Sequence, residues 1–108
     1  PALSIPMIVI PATISNNVPG TEYSIGSDTA LNVILQNCDY IRQSASSSRK
    51  RVFVVDVHGG YCGYLATLAG LGAGASRAYI HEEGVNLTSL RRDAIHLRSR
   101  FREDKRQG

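Results

Sequence analysis

The 108 residues are 43% hydrophobic and 19% charged, a balance of globular proteins that excludes a disordered chain, and the length allows one domain with a modest core. No apolar run approaches the roughly 20 residues of a membrane-spanning helix, so the expected class is soluble, with no membrane partner. The net charge of +3 is lopsided: residues 91–108 hold seven Lys/Arg against three acids, net +4, and the other 90 residues carry net −1.

The chain starts at Pro1 rather than Met, and its last helical pattern runs out at Gly108. It is therefore expected to be a piece of a larger protein. Met7-Ile8-Val9-Ile10 is short, continuous and apolar between prolines, which reads as a buried strand. A polar loop follows: Pro11-Ala12-Thr13-Ile14-Ser15-Asn16-Asn17-Val18-Pro19-Gly20-Thr21. Its hydroxyls and amides are neutral hydrogen-bonding groups, and loops beyond strand ends in α/β sheets are where ligands bind. The competing reading is a capping turn.

A helical pattern begins with Ser24 as the natural N-cap and carries Leu31, Ile34, Leu35, Cys38 and Ile41 on one face, ending near Ser44 before the turn-like Ser46-Ser47-Ser48. Residues 51–57 form the strongest strand, with Val52-Phe53-Val54-Val55 apolar on both faces as in a parallel strand covered by helices. His58-Gly59-Gly60 comes next, then a helix through Leu65, Leu68 and Leu71 that the cluster of Gly70, Gly72 and Gly74 ends. Ala78-Tyr79-Ile80 is a third, short strand. A last amphipathic helix starts near Asn86 or Thr88, with Leu87, Leu90, Ala94, Leu97 and Phe101 on one stripe. The order β-α-β-α-β-α predicts a three-layer, parallel, Rossmann-like sheet with helices on both faces, a single partial α/β domain over residues 1–108.

Several other patterns carry less. Gly70, Gly72 and Ala75 spell a dinucleotide fingerprint, but that motif must follow a strand and open a helix, and here it ends a helix. His58 with Cys62, and His81 with Glu82 and Glu83, lack the paired spacing of a zinc site, so no metal is expected. Cys38 and Cys62 read as reduced thiols, and the sequon Asn86-Leu87-Thr88 as a chance match. Arg49 and Lys50 read as a solvated basic turn. Arg51 opens a strand and suits bidentate contact with phosphate. His58, Gly59 and Gly60, at a strand end and a helix start, let backbone N–H groups approach an anion. The basic helix lacks the interleaved aromatics of single-strand binders, so a solvated face is the preferred reading and no nucleic-acid partner is expected.

The run IPATISNNVPGTEYSIGSDTALN, and further on QSASSSRKRVFVVDVHGGYCGYLATLAGLGAGA, resemble in order and spacing the C-terminal half of eukaryotic ATP-dependent 6-phosphofructokinases. In catalytic members the matching loop is spelled Thr-Ile-Asp-Asn-Asp, the first aspartate being the base on the sugar hydroxyl that attacks ATP. Here Ser15 and Asn17 stand at the two aspartate positions. A serine hydroxyl does not accept that proton near neutral pH, so this copy is expected to be without catalytic residues. The resemblance instead implies the regulatory half, whose former active site binds the activator fructose 2,6-bisphosphate. Neutral groups suit a ligand whose added negative charge a carboxylate would repel. Carried over residue by residue, the effector contacts are Thr13, Ile14, Ser15, Asn16, Asn17, Arg51, His58, Gly59 and Gly60. Arg51 matches an arginine that reaches a neighbouring subunit's site, and His58 departs from a methionine common in the family. The resemblance further implies a cytoplasmic homo- or hetero-oligomer of phosphofructokinase subunits. ATP and magnesium belong to the parent enzyme, with no cofactor held by this segment. The alternative is a stand-alone module that uses its basic C-terminal helix on RNA or an acidic partner.

Overall fold

The computed structural model describes residues 4–47 and 51–104, with the side chains of residues 46, 47 and 104 left aside. Arg49, Lys50, Lys105 and Arg106 lie outside the described residues. Three helices order the chain: α1 (Ser27–Ser47), α2 (Tyr64–Gly72) and α3 (Leu87–Asp104). All three follow from the apolar spacing, and their starts and stops have local causes.

The start of α1 differs from expectation. The helix begins at Ser27, where the Gly26 carbonyl accepts the Ala30 N–H at 3.0 Å. Ser24 is buried, but its hydroxyl donates backward to the Thr13 carbonyl (2.7 Å) rather than facing the helix. It ties the preceding loop instead of capping. At the other end, Ser46 and Ser47 are still helical rather than part of a turn. In α2, the Ala73 N–H reaches the Ala69 carbonyl, the Gly74 N–H that of Leu71 and the Ala75 N–H that of Gly70, closing the helix where the glycine cluster predicts. Asn86 caps α3, its Oδ1 accepting the Ser89 N–H at 2.8 Å.

The expected sheet does not form among the described residues. Segments 7–10, 51–57 and 78–80 belong to no strand ladder, and the β-pairing present is one parallel bridge between Ala12 and Ile25. Ile8 is 90% exposed and Val54 91%. A run of apolar residues signals that a segment is destined for burial, but it does not name the strand that will pair with it. Among the described residues these segments are left without a paired backbone.

The packed region is correspondingly small. α1 lies against α2, where Leu65 (1% exposed) and Ala69 form the buried apolar centre. The helices approach closely because Gly72 has no side chain: a Cβ there would lie 2.9 Å from Leu35 Cδ2. On its other side α2 meets residues 78–82, and a Cβ on Gly63 would lie 2.6 Å from Ile80 Cβ. Among the described residues α3 packs on neither helix. It is joined to the chain before it through Asp93, whose Oδ2 accepts the Tyr79 hydroxyl (2.9 Å) and pairs with Arg77 Nε (3.4 Å). Desolvation first, and then the Asp93 hydrogen bond, push the Tyr79 phenol above its ordinary value.

The dimensions express the same openness. The radius of gyration is 19.2 Å, against about 13 Å for a compact chain of this length. Accessible surface is 9142 Å² for 11.7 kDa, where a compact monomer of that mass shows about 5,900 Å². The excess, about 3,000 Å², is surface of the kind that neighbouring structure covers. No described helix is long and apolar enough to cross a membrane.

Candidate functional site

The loop after residue 10 is folded on itself and fixed at its neck. The Ile25 N–H donates to the Pro11 carbonyl at 3.0 Å, beside the Ala12–Ile25 bridge. Pro19-Gly20 makes a turn closed by the Thr21 N–H on the Val18 carbonyl, with Gly20 at φ +75°, as a Pro-Gly type II turn requires.

Inside this loop Asn16 is the fastener. Its backbone is left-handed, φ +52°, a conformation asparagine tolerates better than most residues. Its Oδ1 accepts the Ser24 N–H (2.9 Å) and its Nδ2 donates to the Glu22 carbonyl (3.1 Å). Both ends of the amide are thus engaged within the loop, which makes Asn16 a structural residue here, whatever else it contacts. Thr13 Oγ1 and Ser15 Oγ lie 3.1 Å apart and share a hydrogen bond, and the Ser15 N–H also points to Thr13 Oγ1 (3.4 Å). The two hydroxyls form a neutral pair. Ile14 and Asn17 are exposed.

The second predicted element is a turn. The Cys62 N–H donates to the Gly59 carbonyl at 3.0 Å, and Gly60 sits at φ +57°, which glycine adopts without strain. Among the described residues, no acceptor on the protein engages the N–H groups of His58, Gly59, Gly60 and Tyr61. His58 is exposed. α2 begins at Tyr64, so the helix start is offset from His58-Gly59-Gly60.

A residue outside the predicted set holds that helix start: the Gly63 N–H donates to Glu82 Oε1 at 2.7 Å. This bond above all holds the Glu82 carboxyl below its ordinary value. His81 and Glu82 entered the sequence reading only as weak metal candidates. Among the described residues no three metal-ligating side chains cluster, and the Ser15 and Asn17 donor set does not fit magnesium, which prefers carboxylates and phosphates. An open cleft of about 430 Å³ beside this junction is lined by Tyr23, Cys62, Gly63, Tyr64, Ile80 and Glu82, among others.

Arg51 is exposed on an extended segment. No hydrogen bond or ion pair among the described residues joins it to Thr13, Ile14, Ser15, Asn16 and Asn17, or to His58, Gly59 and Gly60. The loop and the glycine turn are each closed by a local hydrogen bond, and the packing of α1 on α2 together with the edge-on contact of the Tyr23 and Tyr64 rings, centroids 6.4 Å apart, relates one to the other.

Two loop-to-helix units thus present neutral polar groups, or amides unengaged among the described residues, just before α1 and α2. The match to known proteins is specific. A model of the phosphofructokinase family covers residues 2–107, and the chain belongs to that family. It is 64% identical over 105 residues to ATP-dependent 6-phosphofructokinase 1 of Aspergillus oryzae, which takes in 97% of this chain and 13% of that protein. It is 56% identical over 108 residues to the ATP-dependent 6-phosphofructokinase subunit beta of Saccharomyces cerevisiae, all of this chain and 11% of that one. The solved phosphofructokinase structure from Saccharomyces cerevisiae superposes with a TM-score of 0.88 at 57% identity, over 92% of this chain and 13% of its own. The Pichia pastoris enzyme in its T-state gives 0.78 at 56% identity, over 88% and 10%. The α/β class is therefore that of phosphofructokinase, and the chain spans about an eighth of the length of such relatives.

Proposed function

We propose that this chain is a segment of a cytoplasmic ATP-dependent 6-phosphofructokinase, from the regulatory half, and that it supplies part of the binding site for fructose 2,6-bisphosphate. The parent enzyme would transfer the γ-phosphate of ATP to fructose 6-phosphate. ATP and magnesium are assigned to other parts of that enzyme. The observation carrying the regulatory reading is the Thr13–Ser15 hydroxyl pair. It holds a proton-donating, uncharged surface where transfer chemistry calls for a carboxylate base. Such a surface hydrogen-bonds phosphate or sugar oxygens without repelling their charge.

In this reading Arg51 supplies the positive charge, at the site of a neighbouring subunit. Its exposure supports this, and among the described residues no hydrogen bond or ion pair occupies the guanidinium. The N–H groups of His58, Gly59, Gly60 and Tyr61, unengaged among the described residues, add neutral donors. Oligomerisation then belongs to effector sensing, since each subunit completes another's site. Relatives named as subunits support the assembly. The excess exposed surface supports the view that further structure of the parent covers this segment.

The test is Arg51→Ala in the full-length chain, with turnover recorded with and without fructose 2,6-bisphosphate. Activation lost with basal turnover intact is the expected result. Basal turnover lost in a variant that still assembles would put Arg51 in a working active site. No effect on either would refute the effector reading.

A further inference from the structure

The turn that presents His58, Gly59 and Gly60 is gripped by two consecutive residues from elsewhere in the sequence. Glu82 Oε1 accepts the Gly63 N–H at 2.7 Å. Next to it the His81 ring meets the Tyr61 ring edge-on, centroids 5.0 Å apart at 68°. Gly63 has no room for a side chain, because a Cβ would lie 2.6 Å from Ile80 Cβ and 2.7 Å from Glu82 Oε2. Residues 61–63 are therefore seated on residues 80–82 at three points. The gripping segment is itself a turn, closed by the Gly84 N–H on the His81 carbonyl.

An N-terminal helix amide is ordinarily satisfied by a side chain two or three residues away, which fixes the helix start relative to itself. Here the N-cap residue is Gly63, with no side chain to use, and the acceptor comes from 19 residues further on. Such a bond fixes the start of α2, and the turn immediately before it, relative to a second segment. We propose that Glu82 is a positioning residue for the anion site, holding the Gly59–Cys62 turn so that its unengaged N–H groups face the effector's phosphate. This rests on the reading of His58, Gly59 and Gly60 as effector contacts.

The charge of Glu82 gives the role a signature. A carboxylate at the start of α2 already answers the positive end of the helix dipole, so that end adds little attraction for a phosphate, and the cationic share falls to Arg51. The hydrogen-bond acceptor and the negative charge of Glu82 then act in opposite directions on effector binding. The acceptor orders the turn, and the charge opposes an incoming anion. Glutamine keeps the first and removes the second, whereas alanine removes both.

The experiment compares Glu82→Ala, Glu82→Gln and Arg51→Ala in the full-length enzyme, reading the half-activating concentration of fructose 2,6-bisphosphate, basal kcat and Tm. Glu82→Ala is expected to raise the half-activating concentration about 10-fold, the effect of one charged hydrogen bond, at nearly unchanged basal kcat. Glu82→Gln is expected to match the unmutated enzyme or bind more tightly. A Glu82→Ala enzyme with unshifted activation, or a Glu82→Gln as impaired as the alanine variant, would overturn the positioning role. So would Tm and basal kcat falling together with the half-activating concentration unmoved. Should Glu82→Ala fail to assemble, His81→Ala removes the ring contact while keeping the Glu82 carboxylate on the Gly63 N–H, and is expected to raise the half-activating concentration by about 3-fold, on the scale of a single aromatic pair; no shift there would overturn the proposal. Arg51→Ala separates the two levels. If it leaves activation intact, the effector reading falls and the Glu82 role with it. If it abolishes activation while Glu82→Ala does not shift it, only the role of Glu82 falls.

Discussion

Replacing Asn16 tests whether the loop is held by the amide network, and the structure sets both the size and the order of the effects. Truncation removes the Ser24 N–H to Oδ1 bond at 2.9 Å and the Nδ2 to Glu22 carbonyl bond at 3.1 Å. At about 1 kcal/mol each, the loss is about 2 kcal/mol for either alanine or glycine. Backbone conformation then separates the two. Asn16 sits at φ +52°, where alanine is strained by about 1–2 kcal/mol and glycine is not. The greater freedom of glycine in the unfolded chain takes back about 0.4–1 kcal/mol of that gap. Asn16→Ala is thus expected to weaken the loop by about 3 kcal/mol and Asn16→Gly by about 2 kcal/mol. This reverses the usual order of the two residues.

The assay is amide hydrogen exchange on the full-length chain, followed at the peptide containing Ser24. Local opening free energy converts directly to exchange rate, so the expected acceleration is ~100-fold for alanine and ~30-fold for glycine. Distant peptides should be unchanged. An acceleration below ~3-fold for alanine, or alanine exchanging no faster than glycine, would refute the claim that the asparagine amide and its left-handed backbone hold the loop.

Two further outcomes follow from the seating of α2. Gly63→Ala is expected to destabilise by about 1–3 kcal/mol, because its neighbours include Ile80 Cβ, close to the backbone. Gly72→Ala should cost under about 1 kcal/mol, since it meets only the movable end of Leu35 and gains helix propensity; denaturant titration of the two variants checks the order. The Glu82 carboxyl has a folded value below its ordinary 4.5, held there first by the Gly63 N–H. Its stabilising contribution is therefore complete above about pH 4.5 and disappears as pH falls through the lowered value. Protection of the Gly63 amide from exchange, taken against the intrinsic rate at each pH, should fall over that acidic window in the unmutated chain, and a Glu82→Gln chain should show no such step.

The helices were legible because apolar spacing and end signals act within a few residues. Asn86 and the cluster at Gly70, Gly72 and Gly74 sit where caps and stops belong. Ser24 misled for the same reason: its type and position suit a cap, yet the Thr13 carbonyl, eleven residues away, takes its hydroxyl. Strand pairing lay out of reach, since Val52-Phe53-Val54-Val55 encodes a wish for cover without an address. The loop's polar character was readable, but the division of labour within it was not. Nothing in the spelling separates Asn16, bonded on both ends of its amide, from the exposed Asn17. Glu82 escaped because a carboxylate 19 residues from its amide leaves no periodic mark.

The uncovered segments at 7–10 and 51–57 also bear on how such a chain is made. A ribosome releases about 5–20 residues each second, so α1 and α2 can coil and meet within seconds of emerging. The two segments that flank α1 have no such local refuge. Val52-Phe53-Val54-Val55 carries no charge and no proline, the composition that favours cross-chain β association. Until another backbone pairs with it, this stretch is an open invitation to other nascent chains. The vulnerable interval in the synthesis of such a protein lasts as long as these segments stay unpaired.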